Sequence, residues 1–328
     1  AMVGTDFIGD DLAQLWIADD GTLRAINPEF GIFGIVQDVN RASDPFLMKC
    51  LRDEGAEVIW SNVLIDENKV PHWGGTGEEH PKKGINFQGE WWEGKTDEAG
   101  NPIPISNPNA RCTLRNTSIG NYNNDAAESP DGVHVQVITY SGRDSDTMPP
   151  VWVAKNPDHG VVIGASILSA ATATELGVKG VRRQPWANEP FIPGPLAHYM
   201  NAQFAFFNSD KLQDKPIIAG LNYFLTHSAR GSDGTGLLGE KRDVRVWLGW
   251  LELRAHGDVG AIETPIGYIP RYADLKALFK EIGKDYSQKL YERQFAFYVG
   301  NILGRIDLQK EAYHKEEGVP AQLLEVYE

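Results

Sequence analysis

Cysteine is scarce: Cys50 and Cys112 are the two thiols of a 328-residue chain, too few for a disulfide framework. Long apolar runs are missing as well. With neither a stretch of membrane length nor a leader pattern read in the sequence, the expectation is a soluble, cytoplasmic protein with no membrane partner. Positive charge is in deficit, with 31 Lys and Arg against 45 Asp and Glu and a formal net charge of −14. No Lys/Arg run could neutralise a string of phosphates, which argues against nucleic acid as a partner, although single arginines can still bind a nucleotide. The eight histidines never fall at H-x-x-x-H or pair with cysteine at metal-ligand spacing, which argues against a self-contained zinc or iron site. Internal repeats and apolar-poor linkers are absent too. Residues 1–328 are therefore expected to form one domain, a monomer being favoured, with Ala1-Met2 set aside as a cloning remnant.

What is there suits a packed protein of mixed class. Apolar residues make up 41% and aromatics 10%, enough for a sizeable core. Leu15-Trp16-Ile17 and Leu23-Arg24-Ala25-Ile26 flank Asp20-Gly21, a hairpin signal because the tight turn needs positive φ. Val58 to Ile65, Val133 to Tyr140, Val161 to Leu168 and Ile217 to Tyr223 read as further strands, rich in β-branched residues and bounded by Gly, Pro, Asn or Asp. Helical periodicity is clearest from Val244 to His256, where Trp247, Trp250 and Leu251 recur before Gly257 stops the run; 195–207, 272–282 and 286–316 show similar patterns. The stretch 66–132 reads as loops and short strands, long enough to hint at function. The expected fold class is α/β (α+β): a mixed β-sheet with flanking helices.

The first sign of chemistry is acidic. Gly9-Asp10-Asp11 follows the apolar pair Phe7-Ile8, and aspartates at a strand's carboxyl end hold divalent metals, because hard cations take carboxylate oxygens where phosphates converge. Only eight residues precede Gly9, too few for a strand, Gly-rich loop and helix, so a phosphate cradle is expected elsewhere or not at all. Gly89-Glu90-Trp91-Trp92-Glu93-Gly94-Lys95-Thr96 satisfies the nucleotide-binding-loop pattern letter for letter. It is nevertheless expected to be a structural loop. Two tryptophans and two glutamates stand where compact residues must wrap an anion, and turn residues follow where a helix should start.

Asn109 and Arg111 share a strand-like face at i, i+2, and either point together at one oxyanion or leave a solvated loop arginine. Arg143, in Ser141-Gly142-Arg143-Asp144-Ser145-Asp146-Thr147, either clamps nucleotide phosphates from a strand end or is tied up in an ion pair with its aspartate neighbours. Tyr223-Phe224 ends a strand after Asn222 and is either core or a stacking platform for a base. Ser169 to Gly180, small and Ala-rich, reads equally as a short helix.

Several of these stretches are similar to one family. Gly-Asp-Asp-Leu-Ala at 9–13, Leu-Arg-Ala-Ile-Asn-Pro-Glu at 23–29, Asn-Pro-Asn-Ala-Arg at 107–111, Ser-Gly-Arg-Asp-Ser-Asp-Thr at 141–147, Leu-Asn-Tyr-Phe at 221–224 and Thr-Pro-Ile-Gly-Tyr-Ile-Pro at 264–270 resemble, in order, GTP-dependent phosphoenolpyruvate carboxykinase after its P-loop. Gly84-Ile85-Asn86 through Lys95 looks more like the compact archaeal-type members. The resemblance implies the carboxyl-terminal, mononucleotide-binding part of an enzyme converting oxaloacetate and GTP to phosphoenolpyruvate, GDP and carbon dioxide, with Mn2+ and Mg2+. By the same resemblance Asp11 would bind manganese, as one ligand of three, and Asp10 the magnesium-nucleotide region. Arg111 and Asn109 would serve the transferred phosphoryl group, Arg143 the nucleotide phosphates, and Tyr223 with Phe224 the guanine. Ser169 to Gly180 would be the mobile lid. Leu238 and Lys241 depart from the animal-type phenylalanine and asparagine, which leaves base selectivity open. A chain lacking the P-loop is expected to be inactive alone. The alternatives are a non-catalytic nucleotide-binding or regulatory module, and an independent P-loop NTPase resting on Lys95.

Overall fold

A computed structural model describes residues 4–53, 56–170, 181–182 and 192–328. The first hairpin, β1 (Gln14–Ile17) and β2 (Leu23–Ile26), runs antiparallel with Gln14 opposite Ile26 and Ile17 opposite Leu23. Its turn falls on the Asp-Gly signal, where Gly21 takes φ +80°, a conformation that residues with a Cβ resist. There follow β3 (Gly31–Ile35), α1 (Pro45–Arg52), β4 (Val58–Ser61), β5 (Leu64–Ile65), β6 (Pro71–His72), β7 (Lys83–Asn86), β8 (Gly89–Trp92) and β9 (Arg111–Arg115). They form two small sheets, ordered β3-β9-β4 and β6-β5-β7-β8. The strand expected over Val58 to Ile65 is thus two strands in different sheets, parted at Asn62 with φ +61°.

After α2 (Asn124–Ala127), β10 (Val133–His134) joins β2, while β11 (Val137–Ser141) enters another sheet, so Val133 to Tyr140 also serves two sheets. Next come β12 (Val151–Val153), α3 (Pro157–Ser166), the antiparallel pair β13 (Ser169–Ala170) and β14 (Val181–Arg182), α4 (Leu196–Phe207) and β15 (Ile217–Leu221). The chain closes with α5 (Val244–His256), β16 (Ile262–Thr264), β17 (Gly267–Ile269), α6 (Tyr272–Glu281), α7 (Gln288–Gln294), α8 (Val299–Tyr313) and α9 (Ala321–Tyr327).

The central sheet has the order β11-β15-β12-β17-β16, with β11 and β15 parallel and the other pairs antiparallel. It is the mixed, helix-flanked sheet that the sequence leads one to expect. On one side Trp247 and Trp250 of α5 and Phe279 of α6 pack with Val151 and Leu221; on the other Val161 of α3, Phe204 of α4 and Leu323 of α9 pack with Ile218. A separate cluster, including Val36, Met48, Trp73 and Cys112, fills the space beneath β9.

Val161 to Leu168 is a correction. It is not a strand but most of α3, which begins with Pro157 in its first turn and Asn156 as N-cap, the amide oxygen accepting the His159 N–H at 2.8 Å. Residues 160–165 are all buried, so no apolar stripe distinguishes this helix from a buried strand. Gly160 lets it lie on the sheet: a Cβ there would come within 2.5 Å of the Ile218 side chain. The helix expected over 286–316 divides into α7 and α8, whereas α5 ends as anticipated at Gly257, with φ +79°.

Candidate active site

Two parallel neighbours end side by side. Ser141 of β11 lies opposite Leu221 of β15, so the residues that follow each strand, Gly142-Arg143 and Asn222-Tyr223-Phe224, leave the same edge of the sheet together. In α/β proteins that edge, beyond the carboxyl ends of parallel strands, is where ligands bind. Here the Arg143 guanidinium lies over the Phe224 ring, 4.7 Å from its centroid, while the Tyr223 and Phe224 rings are 4.6 Å apart. The Lys241 ammonium approaches the same Phe224 ring at 5.9 Å. Both aromatic rings are half-buried and Arg143 is exposed.

The local ion pair that could have neutralised Arg143 does not form. Asp144 turns inward, where its carboxylate accepts the N–H groups of Thr147 at 2.7 Å and of Asp146 and Met148 at 3.1 Å, and pairs with Arg305 of α8. Burial works against its charge, but Arg305 and these N–H groups together outweigh it and hold the carboxyl below the ordinary carboxylate range. Arg143 is fixed instead through its backbone, whose N–H donates to the Leu168 carbonyl at 2.6 Å. Its guanidinium is left without a carboxylate among the described residues, a cation on an aromatic surface.

A second group forms at the edge strand β3. The N–H of Phe33 donates to the Asp10 carboxylate at 3.2 Å, and its carbonyl accepts from Arg111 at 3.2 Å, so one residue's backbone holds both. The Arg111 guanidinium also lies 4.7 Å from the Phe33 ring centroid and donates Nε–H to the Asn109 amide oxygen at 2.9 Å. Asn109 is not on the strand face as expected. It sits in the turn before β9, shaped by Asn107, whose side-chain oxygen accepts the Asn109 N–H at 2.8 Å. The pairing of amide and guanidinium survives by a different route.

Asp11 stands beside this group. The Glu29 carboxylate accepts the N–H groups of Asp11 at 3.1 Å and Leu12 at 3.0 Å, fixing the loop, and Gly9 lies so close to Asn27 that a Cβ would meet its side chain at 1.7 Å. The exposed Asp11 carboxylate itself has no hydrogen-bond partner among the described residues. It is free to ligate, and fits a divalent cation as one donor of a larger set. No three His, Cys, Asp or Glu side chains are grouped to hold a metal among the described residues, so a complete site is not formed by them.

No hydrogen bond, ion pair or ring contact joins the Asp10–Arg111 group to the Arg143–Phe224 group among the described residues. Between the loop that continues β3 (37–44) and Glu240-Lys241-Arg242 lies an open cleft of about 720 Å³, to which Lys241 belongs as well as to the Phe224 cluster. Lys95 lies elsewhere. Its ammonium donates to the Glu90 carbonyl and rests 4.8 Å from the Trp92 ring; β8 precedes it and a bridge from Thr96 to Pro102 follows, with no helix. The letters of a P-loop are a hairpin here. Of the lid stretch, Ser169 and Ala170 pair with Arg182 and Val181, and 171–180 lie outside the described residues, as do residues 1–3.

The family model described as the phosphoenolpyruvate carboxykinase C-terminal P-loop domain matches residues 1–328. The chain belongs to this family. It is 42% identical to phosphoenolpyruvate carboxykinase [GTP] of Pyrococcus furiosus over 326 residues, covering 98% of this chain and 50% of that protein. The Thermococcus kodakarensis protein of the same name is 43% identical over 326 residues, with 98% and 51% covered, and that of Saccharolobus solfataricus 38% identical over 328 residues, with 99% and 51% covered. The chain thus spans about half the length of the curated relatives it matches. Within this carboxykinase domain, Phe33, Glu29 and Arg305 are the positioning residues that sequence reading missed. Glu29 alone carried a signal, as the last letter of the specific Leu-Arg-Ala-Ile-Asn-Pro-Glu stretch.

Proposed function

We propose that this chain, as a single domain, forms the nucleotide-binding part of a GTP-dependent phosphoenolpyruvate carboxykinase, acting in the cytoplasm as a monomer on oxaloacetate, GTP and their products phosphoenolpyruvate, GDP and carbon dioxide. The observation that carries this reading is the Arg143 guanidinium, without a carboxylate partner and laid on the Tyr223-Phe224 pair at the ends of two parallel strands. Such a site suits a nucleotide, with charge for the phosphates and an apolar face for the base. Arg111, held by Asn109 and the Phe33 carbonyl, presents its guanidinium to the phosphoryl group that passes from GTP to the enolate oxygen left by decarboxylation. Asp11, with Asp10 behind it on Phe33, would hold divalent metal, Mn2+ at Asp11 and Mg2+ at the nucleotide; the metal when bound supplies positive charge to the enolate and phosphate oxygens.

A chimera tests the reading: this chain replaces the matching half of the Pyrococcus furiosus relative, and phosphoenolpyruvate formation is assayed. Arg111→Met is expected to lower kcat by about 10²–10³-fold, the cost typical of removing one preorganised transition-state contact. Arg143→Met is expected to raise KM for GTP about tenfold or more, with a smaller change in kcat, as loss of a charge-assisted phosphate contact requires. An active chimera indifferent to both substitutions would overturn the assignment.

A further inference from the structure

The sheet of β3, β9 and β4 packs one face on the cluster that includes Met48, Trp73 and Cys112, with Val58 and Trp60 of β4 turned the same way. Its other face is uncovered. Register puts Phe33, Thr113 and Ile59 in one row across that face, and Ile35, Arg111 and Ser61 in the next. An antiparallel sheet with one side in water normally alternates apolar inward with polar outward. Here the outward-facing Ile59 is 70% exposed, Phe33 54% and Ile35 44%, and Phe30, just before β3, is 85% exposed. Single exposed apolar residues are ordinary, whereas neighbours on one sheet face mark a surface that another body covers.

The same face carries part of the candidate site. The Arg111 guanidinium lies 4.7 Å from the Phe33 ring centroid, and the Phe33 N–H donates to the Asp10 carboxylate at 3.2 Å. Whatever covers Phe33 therefore comes up against Arg111 and the Asp10-Asp11 loop. These groups need what such a body could bring. Asp11 fits a divalent cation as one donor of a larger set, and among the described residues no three side chains are grouped to complete it. The only Gly-x-x-x-x-Gly-Lys-Thr letters form a hairpin rather than a phosphate cradle. A second copy of this chain would add neither donors nor cradle. The carboxykinase relatives have a further half of their length that this chain does not span, and a body of that kind could supply both.

We infer that the face bearing Phe33, Ile35 and Ile59 is a docking surface for a domain like the unmatched half of these relatives, which completes the metal and phosphate sites around Asp11 and Arg111. The identity of the occupant rests on the carboxykinase reading; the uncovered apolar face does not. Docking has a consequence for Arg111. With water excluded, a cation lying on an aromatic ring is held more firmly, because such contacts strengthen on desolvation. A guanidinium fixed in that way is preorganised for the charge that develops in phosphoryl transfer.

The test compares the isolated chain with the chimera described above by hydroxyl-radical labelling of side chains, read by mass spectrometry. Phe33 and Ile59 should label freely in the isolated chain and fall, in the chimera, to the level of a core residue such as Leu114. Ile59→Arg should leave the urea midpoint of the isolated chain unchanged, as substitutions at exposed positions do. In the chimera the same substitution should return Phe33 to the labelling of the isolated chain. Equal labelling of Phe33 and Ile59 in the two proteins, a chimera that does not fold, or an isolated Ile59→Arg chain that is itself destabilised would overturn the proposal. So would sedimentation of the isolated chain as a dimer with Phe33 and Ile59 already protected, since the occupant would then be a second copy. Phosphoenolpyruvate formation is not read here, so protection in an inactive chimera would count against the carboxykinase reading alone, and activity without protection against the docking face alone.

Discussion

At the scale of single residues, the candidate site is organised by backbone groups that would otherwise go unpaired. Phe33 offers both its N–H and its carbonyl at an edge strand, and these hold Asp10 and Arg111, while Glu29 closes the loop before Leu12. Gly9 is required by the same packing. Gly9→Ala would press a methyl group into Asn27, whose side-chain oxygen accepts the Glu29 N–H at 2.9 Å, so the loop and Glu29 shift together. We expect about 1–3 kcal/mol of destabilisation by urea unfolding, the usual cost of overpacking, together with weakened metal binding in the chimera. A Gly9→Ala protein with unchanged midpoint and metal affinity would show that the loop yields freely. Lys95→Ala, by contrast, removes only a cation held on a hairpin carbonyl and a tryptophan ring. Any nucleotide affinity should survive it unchanged in calorimetric titration; a marked loss would revive the P-loop reading of Gly89 to Thr96.

At the scale of elements, α3 shows how context overrides local preference. Its β-branched Val161-Val162-Ile163 run suits a strand, yet the Asn156 cap and Pro157 start a helix, and burial on every side rewards whichever element fits the sheet. The helix carries a titratable group with it. His159 is half-buried and lies near Lys155, and these two effects, desolvation first, push its imidazole down to about 4 from an ordinary 6.5. A depressed imidazole pKa means that between these values the unfolded chain binds a proton and the native chain does not. Stability is therefore unaffected above pH 6.5 and is lost progressively as pH falls toward 4, by roughly 3 kcal/mol at most. Urea unfolding at a series of pH values checks this, with His159→Gln expected to flatten the profile across that window. A wild-type profile that is already flat there would mean the ring is protonated without cost.

At the scale of the whole molecule, the two groups of candidate site side chains belong to different sheets, one on β3 and β9, the other at the ends of β11 and β15. Neither group contains a phosphate cradle, and the sequence's one Gly-x-x-x-x-Gly-Lys-Thr is a hairpin. The 328-residue polypeptide by itself should therefore show no oxaloacetate-dependent GTP turnover and weak or undetectable GTP binding, since an anion-binding loop normally supplies much of the affinity. Coupled assay and calorimetry on the purified chain, run beside the chimera, measure both. Tight binding by the chain alone would place the cradle among residues to which no such role is given above.

Much of the architecture was legible because it is local. Gly21 and Gly257 adopt positive φ where a turn and a helix end need it, and the tryptophan spacing of α5 follows the helical repeat, all of which neighbouring residues determine. What remained undetermined is non-local. Whether Asp144 neutralises Arg143 beside it or Arg305, 161 positions away, depends on which partner the packed helices deliver, and burial decides in favour of the distant one. The parallel register that brings Arg143 to Phe224 joins strands separated by five other elements, so no periodicity records it. Sequence by itself determined turns, helix ends and the kinds of side chain on offer; tertiary structure alone decided which charges are cancelled and which stay free, because pairing in a low-dielectric interior is set by proximity in space.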